Sequence, residues 1–322
     1  MKRPNAAGPG WVMSFILAFG LAVTAQAVAQ EKPKPPRKDL VLKGDAKCTR
    51  CHDQDEEYPV LSIGKTRHGT VADGRTPSCV NCHGESETHV TKPAEAKERP
   101  KPERVFGRKS ATAPESQNQA CLACHESGLR MNWKGSQHEA SDVACVSCHS
   151  IHTGKDRVLA KATQPEVCFA CHKTQRAQMN RVSHHPVREG KMACSSCHNP
   201  HGSAGPTMLV KATLNETCYT CHTEKRGPFL WEHPPVREDC ANCHTPHGSI
   251  HTPLLKARGP WLCQECHLAT FHPSTAYSGT SIPPAPGIAP ISPPDRVLAN
   301  NCLNCHSQVH GSNHPSGARK TR

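Results

Sequence analysis

The chain reads as mostly irregular, with short α-helices at repeated turns, almost no β-strand and no conventional core. Three observations predict this. Of its 322 residues only 35% are hydrophobic and 4% aromatic, while 29 are proline and 22 glycine, a composition that elsewhere signals disorder. All 20 cysteines fall in ten copies of Cys-x-x-Cys-His. The histidines, 23 in all, exceed the motifs by more than two to one.

The motif accounts for the other two observations. Its copies are Cys48/Cys51/His52, Cys79/Cys82/His83, Cys121/Cys124/His125, Cys145/Cys148/His149 and Cys168/Cys171/His172 in the first half of the chain. The second half holds Cys194/Cys197/His198, Cys218/Cys221/His222, Cys240/Cys243/His244, Cys263/Cys266/His267 and Cys302/Cys305/His306. This spacing attaches haem c: two thiols add to the vinyl groups of one porphyrin, and the next residue's imidazole falls beneath the iron. One copy would also suit zinc or a redox dithiol. Ten copies with no cysteine left over select haem. Ten covalently held porphyrins then supply the apolar mass that the side chains lack. The expected fold class is therefore a multihaem cytochrome c, a chain of haems wrapped in irregular backbone. Without haem the chain is expected to be largely unfolded.

The N-terminus reads as an export signal over residues 1–29. Lys2 and Arg3 precede an apolar run from Trp11 to Val23, and Ala27-Val28-Ala29 offers a small-residue cleavage site. Export suits haem attachment, because free cysteines in that compartment are drawn into disulfides. No other segment is long and apolar enough to span a bilayer. The formal charge of +12 falls to about +10 without Lys2 and Arg3. Each haem returns about −1 when ferric and about −2 when ferrous through its propionates, so the holoprotein is near neutral. Nucleic acid is not an expected partner.

Ten histidines complete the motifs, leaving thirteen as candidates for the opposite face of each iron. Read in pairs, the motifs form five two-haem units that begin at Cys48, Cys121, Cys168, Cys218 and Cys263. A free histidine lies between the motifs of every unit: His68, His138, His184, His233 and His272. Another trails the second motif: His89, His152, His201, His247 and His310. Alignment of Ser183-His-His-Pro-Val-Arg-Glu with Glu232-His-Pro-Pro-Val-Arg-Glu favours His184 over His185. The Gly-Ser after His201, His247 and His310 favours the last over His314, and His185, His251 and His314 are surplus.

Spacing also constrains which iron each histidine reaches. His198 and His201 lie three residues apart on one short turn, so their rings point to the same side and cannot clasp one iron. The same holds for His149/His152 and His244/His247. Each trailing histidine must therefore staple its motif to another haem. Leu159, Leu209 and Leu255 recur in the linkers and are expected on porphyrin faces, with Lys161, Lys211 and Lys256 near propionates or in solvent. Met131, Met179, Met192 and Met208 do not recur and are read as gap-fillers. Trp133 and Trp231 precede distal candidates and are read as haem-packing aromatics. Three stretches break the rhythm: a basic leader over 30–44, a polar insertion over 90–118 and a Pro-rich insertion over 273–300. All three are expected to be irregular, as surface loop or docking segment.

The ten motifs in about 300 exported residues, their paired layout and the ending Asn301-Cys302-Leu-Asn-Cys305-His306-Ser-Gln-Val-His310-Gly-Ser-Asn-His314-Pro-Ser-Gly317 resemble the MtrA/DmsE-type periplasmic decahaem cytochromes. The resemblance covers essentially the whole mature chain. It implies that the mature chain is an elongated, continuous haem wire divided into pentahaem halves, 30–178 and 179–322. It also implies bis-histidine iron, a periplasmic location associated with the outer membrane, and a wire seated in an outer-membrane β-barrel porin. Such a wire would link periplasmic or inner-membrane electron carriers to an extracellular cytochrome or a metal substrate such as iron. The DmsE side of the likeness implies instead a soluble periplasmic shuttle to a terminal reductase. That ending contains both His310 and His314, so the choice between them stays open. No motif replaces its histidine and distal candidates exceed the need, so catalysis at an open iron is not expected. A sensor would need an effector domain that the sequence does not show.

Overall fold

The computed structural model describes residues 45–53, 56–69, 75–267, 302–304, 306–315 and 317–319. The export signal, the basic leader, His272, the 273–300 insertion and Cys305 lie outside the described residues. Those that are described belong to one contact unit, Leu40–Arg322. Among them no helix is long and apolar enough to cross a membrane.

Ten short α-helices punctuate the described residues. They are α1 (Ala46–Thr49), α2 (Cys79–His83), α3 (Glu87–Val90), α4 (Pro114–Leu122) and α5 (Gln137–Ala140). After them come α6 (Gln164–Phe169), α7 (Lys173–Met179), α8 (Leu214–Tyr219), α9 (Pro234–Glu238) and α10 (Trp261–Gln264). The longest, α4, has nine residues, below the roughly 12 that an isolated helix needs for stability in water. Their starts are nonetheless written in the sequence. Pro114 and Glu115 open α4, and Pro165 and Glu166 open α6, fitting the fixed φ of proline and the positive end of the helix dipole. Thr213 Oγ1 accepts from Glu216 N at the head of α8, and Ser136 Oγ accepts from Glu139 N at α5. The only sheet among the described residues pairs β1 (Trp231–Glu232) antiparallel with β2 (Gly311–Ser312).

The helices sort by position within each unit. α1, α4, α6, α8 and α10 each carry the first cysteine of a pair, running the chain straight into the first motif. The second motif sits on α2 in the first unit, and on single 3-10 turns, Cys145–Ser147, Cys194–Ser196, Cys240–Asn242 and Cys302–Asn304, in the others. Within a unit the two motifs are clamped by a side chain on the first helix or, in the first unit, at its N-cap. Asp45 Oδ1, Asn118 Oδ1 and Asn215 Oδ1 accept the N–H of Cys79, Cys145 and Cys240, each at 2.7 Å. In the third unit Gln164 Oε1 accepts from Ser195 N at 2.9 Å. Asn215→Leu is expected to strand the half-buried N–H of Cys240 at a cost of about 1 kcal/mol. The check is a lower midpoint of thermal unfolding with haem content unchanged.

Side chains alone make little core. The buried apolar residues among those described are Trp133, Ala144, Val158, Phe169, Met179, Val187, Ala193 and Leu209. One cluster joins Phe169, Met179 and Val187 with Met192 at its edge; it spans the 178/179 midpoint and lies inside the third unit. What the chain surrounds instead is a continuous cavity of about 4940 Å³, walled by residues of all ten motifs. Small-molecule sites run to about 300–1,000 Å³, so this space is built for a large apolar content.

Candidate haem-binding sites

Each motif is wound on one turn. The histidine N–H donates back to the carbonyl of the first cysteine, at 3.1 Å for His52, 2.9 Å for His125, 3.0 Å for His198 and 2.8 Å for His306. In the nine fully described motifs that turn brings both thiols and the imidazole to the cavity wall. The first cysteines of the two motifs lie close enough to influence one another in every unit: Cys48 with Cys79, Cys121 with Cys145, Cys168 with Cys194, Cys218 with Cys240 and Cys263 with Cys302.

Opposite the motif histidines stand second histidines, in nine pairs among the described residues. In the first half His52 faces His89 with ring centroids 6.0 Å apart, His125 faces His68 at 5.8 Å, and His83 faces His152 at 6.2 Å. His149 faces His201 at 6.0 Å and His172 faces His138 at 6.1 Å. In the second half His222 faces His185 at 6.3 Å and His198 faces His247 at 6.1 Å. His267 faces His233 at 6.1 Å and His244 faces His310 at 6.2 Å.

These separations test whether iron fits. Two metal–imidazole bonds of about 2.0 Å, with about 1.1 Å from each donor nitrogen to its ring centre, put centroids about 6.2 Å apart across one ion. The nine values scatter about that figure, so the donor set suits an axially ligated iron. Burial also holds imidazoles in the neutral form that ligates metal. It pushes His83, His244, His247 and His310 below the ordinary histidine range and His201 down to about 4, with His149 nearby adding to the last.

The pairing follows one rule. The histidine between the motifs of a unit faces the first motif of the next unit, as His68, His138, His185 and His233 do. The trailing histidine of that next unit faces back to the second motif of the one before, as His152, His201, His247 and His310 do. Every junction is thus crossed twice, in opposite senses. Three of the four junctions add a hydrogen bond between the crossing arms: His138 Nδ1, His185 Nδ1 and His233 Nδ1 meet the carbonyls of Pro200, Pro246 and Val309. Each of those residues immediately precedes a trailing histidine. At the N-terminal end the first unit closes on itself, His89 against its own His52.

The second residue of this clasp is glycine for a steric reason. After His201 and His247 the chain passes Gly202 (φ +98°) and Gly248 (φ +155°), where a Cβ would meet the carbonyl oxygens of Asn132 and Gln178 at 2.1 and 2.0 Å. The trailing loop therefore lies directly on the backbone of the preceding unit.

One site residue is corrected by this geometry. The sequence alignment prefers His184, but the structure places His185 against His222 and in the cavity wall. His184 turns away, its Nδ1 donating to Arg181 O and its Nε2 bonding Glu189. Backbone direction is the reason. Ser183 is tied to Ser249 in an antiparallel bridge, and successive side chains of extended backbone point to opposite sides. The fourth unit differs because Pro234 opens α9 directly after His233. At the C-terminal ending His310 faces His244, whereas the exposed His314 does not line the cavity.

Other expectations sort individually. Leu209 and Leu255 pair by backbone bridges with His198 and His244, and Leu209 is buried. Leu159 lines the cavity but is 75% exposed, and its neighbour Val158 is buried in its place. Of the three linker lysines, Lys256 lines the cavity while Lys161 and Lys211 do not. Trp133 is buried 6.5 Å from the His201 ring, whereas Trp231 sits in β1 and donates to His314 O. Met179, Met192 and Met208 line the cavity; Met131 is 70% exposed and does not. The 90–118 insertion is no idle loop: Arg104 O and Pro100 O accept from His83 Nδ1 and His89 Nδ1. The clamp residues Asp45, Asn118 and Asn215 escaped the sequence reading, though each stands three residues before the first cysteine of its unit.

The doubled CXXCH motif family matches residues 184–227 and 233–270, and the cytochrome c-type protein NrfB-like family matches 79–163. The chain is 46% identical over 280 residues to multiheme cytochrome MtrA of Shewanella baltica (strain OS185), covering 85% of this chain and 80% of that one. It is 29% identical over 176 residues to the cytochrome c-type protein NrfB of Escherichia coli O6:H1, covering 51% of this chain and 87% of the relative. The NrfB of Haemophilus influenzae is 27% identical over 186 residues, with 51% and 81% covered. Motif turns, facing imidazoles and similarity along most of its length agree: the chain belongs to the MtrA family of multihaem c-type cytochromes, electron-transport proteins with covalently bound haem c.

Proposed function

We propose that this chain is a decahaem electron conduit across the outer membrane, seated in or docked to a β-barrel porin. It would link periplasmic or inner-membrane carriers to an extracellular cytochrome or a metal such as iron. The observation that carries the wire is the set of facing imidazoles, repeated in one unbroken cavity. Bound haem would supply a one-electron centre at each motif, and this chain's residues would hold those centres in a row for electron transfer. The motif cysteines would hold each porphyrin edge and the facing imidazoles would hold its iron, so the site itself would rearrange little when the haem changes oxidation state. The axial set is that of the sequence reading with His185 in place of His184. For the tenth motif the pairing rule leaves His272, the between-motif histidine of the last unit, as partner of His306. On this reading the protein carries electrons and is not an enzyme.

The ligand exchange has a direct check. His185→Ala is expected to convert one haem from low to high spin in electron paramagnetic resonance, and His184→Ala to convert none. The conduit itself is tested by mild detergent extraction of the envelope followed by affinity purification of the chain. Recovery with a stoichiometric outer-membrane barrel supports the conduit. Quantitative recovery in the osmotic-shock fraction without a barrel supports a soluble shuttle, the function that likeness to the shorter NrfB relatives favours.

A further inference from the structure

The ring nitrogens that face away from the cavity mostly meet backbone carbonyls. Among motif histidines, Arg104 O serves His83, Thr207 O serves His198 and Pro253 O serves His244. Two motif histidines meet carboxylates at close range instead. His52 Nδ1 lies 3.0 and 3.1 Å from the two oxygens of Glu56. His149 Nδ1 lies 2.7 Å from Asp156 Oδ2. The other oxygen of Asp156 accepts from Ser150 N and Val158 N, both at 3.3 Å, so this carboxylate is anchored at both ends. Its side chain is 12% exposed, against 34% for Glu56.

We propose that Glu56 and Asp156 are positioning residues that act through His52 and His149 to hold two haems, at Cys48/Cys51 and Cys145/Cys148, at lower reduction potential than the carbonyl-backed sites. This rests on the proposed axial roles of His52 and His149. A carboxylate on the outer nitrogen strengthens the imidazole as a donor and fixes its orientation. Ferric haem carries one more positive charge than ferrous haem, so a fixed anion favours the oxidised form. Reduction adds one electron to the iron and breaks no bond. Asp156 has the larger effect, because its charge is shielded less by water. The facing ring at that site, His201, has a buried Nδ1 with no hydrogen-bond partner, so the added donor strength comes from the His149 side alone. An electron moving along the wire therefore meets a step at the fourth motif from whichever end it enters.

The test is a potentiometric titration of the full holoprotein, followed by optical and electron paramagnetic resonance spectra, with haem content by mass. Asp156→Asn keeps the acceptor oxygen and removes the charge; one component is expected to rise by at least tenfold in its equilibrium constant, about 59 mV for one electron. Glu56→Gln should raise a different component by less, and Asp156→Glu should restore the original titration. Glu189→Gln is the control, since that exposed carboxylate bonds His184, which lines no haem site. An unchanged titration in Asp156→Asn with all haems low-spin overturns the proposal, as does an equal shift in Glu189→Gln. If Asp156→Asn loses haem, Glu56→Gln decides by the same criterion. High-spin haem in the unaltered protein would count against the axial assignment itself, which separates that failure from failure of the tuning.

Discussion

His247→Met is expected to raise the potential of one haem, the one at Cys194/Cys197, while the remaining haems keep their spectra and all stay attached. Thioether sulfur is a poorer donor to ferric iron than imidazole, and axial ligand choice spans roughly 0.8 V, so the rise should be on the order of 100 mV. The measurement is spectroelectrochemistry combined with haem quantification by mass. Attachment should survive, because Cys194 and Cys197 hold the porphyrin independently of the distal ligand. The junction should survive too. His247 supplies one of two crossings between the third and fourth units, and His185 against His222 supplies the other. A variant lacking both, His247→Ala with His185→Ala, should lose more stability than the two single changes together, because only then is the junction left without a coordination cross-link.

The second large effect is on folding. The haem-free chain is expected to show a far-ultraviolet circular dichroism spectrum close to that of random coil. The described residues include no side chain that is fully enclosed, and their one apolar cluster rests on Phe169, Met179 and Val187. Helices of nine residues or fewer cannot persist alone. The side chains leave open the cavity that the ten motifs surround, and on the proposed reading the porphyrins fill it. Native-like helix in the apoprotein would show that the side chains suffice.

Much of this architecture was legible because its chemistry is local. Five covalent neighbours define each motif, so the turn that holds Cys48, Cys51 and His52 could be read without knowing where the chain goes next. The same is true of the ring direction at His198 and His201, which a three-residue spacing determines. Which iron His201 reaches was not legible, because that depends on the path of some fifty residues between His149 and His201. His185 was hidden for a subtler reason. Sequence alignment matched it to Pro234, yet Pro234 starts a helix, whereas His185 lies in extended backbone steered by Ser183 and Ser249. The clamp of Asn215 on Cys240 was in plain sight as a position, but nothing in composition distinguishes a buried amide acceptor from a solvent-facing one. Glu56 and Asp156 look like ordinary surface acids until the rings they touch are known.

The double crossing at each junction makes the molecule modular in a specific sense. Because every internal unit gives one histidine forward and one back, removing a whole internal unit lets its former neighbours satisfy each other by the same exchange. Removing a single motif together with the free histidine that follows it leaves one ring without iron and one iron without a ring. Wires of this design can therefore lengthen or shorten by duplication, but only in steps of two, and the distance they bridge is set by an even count.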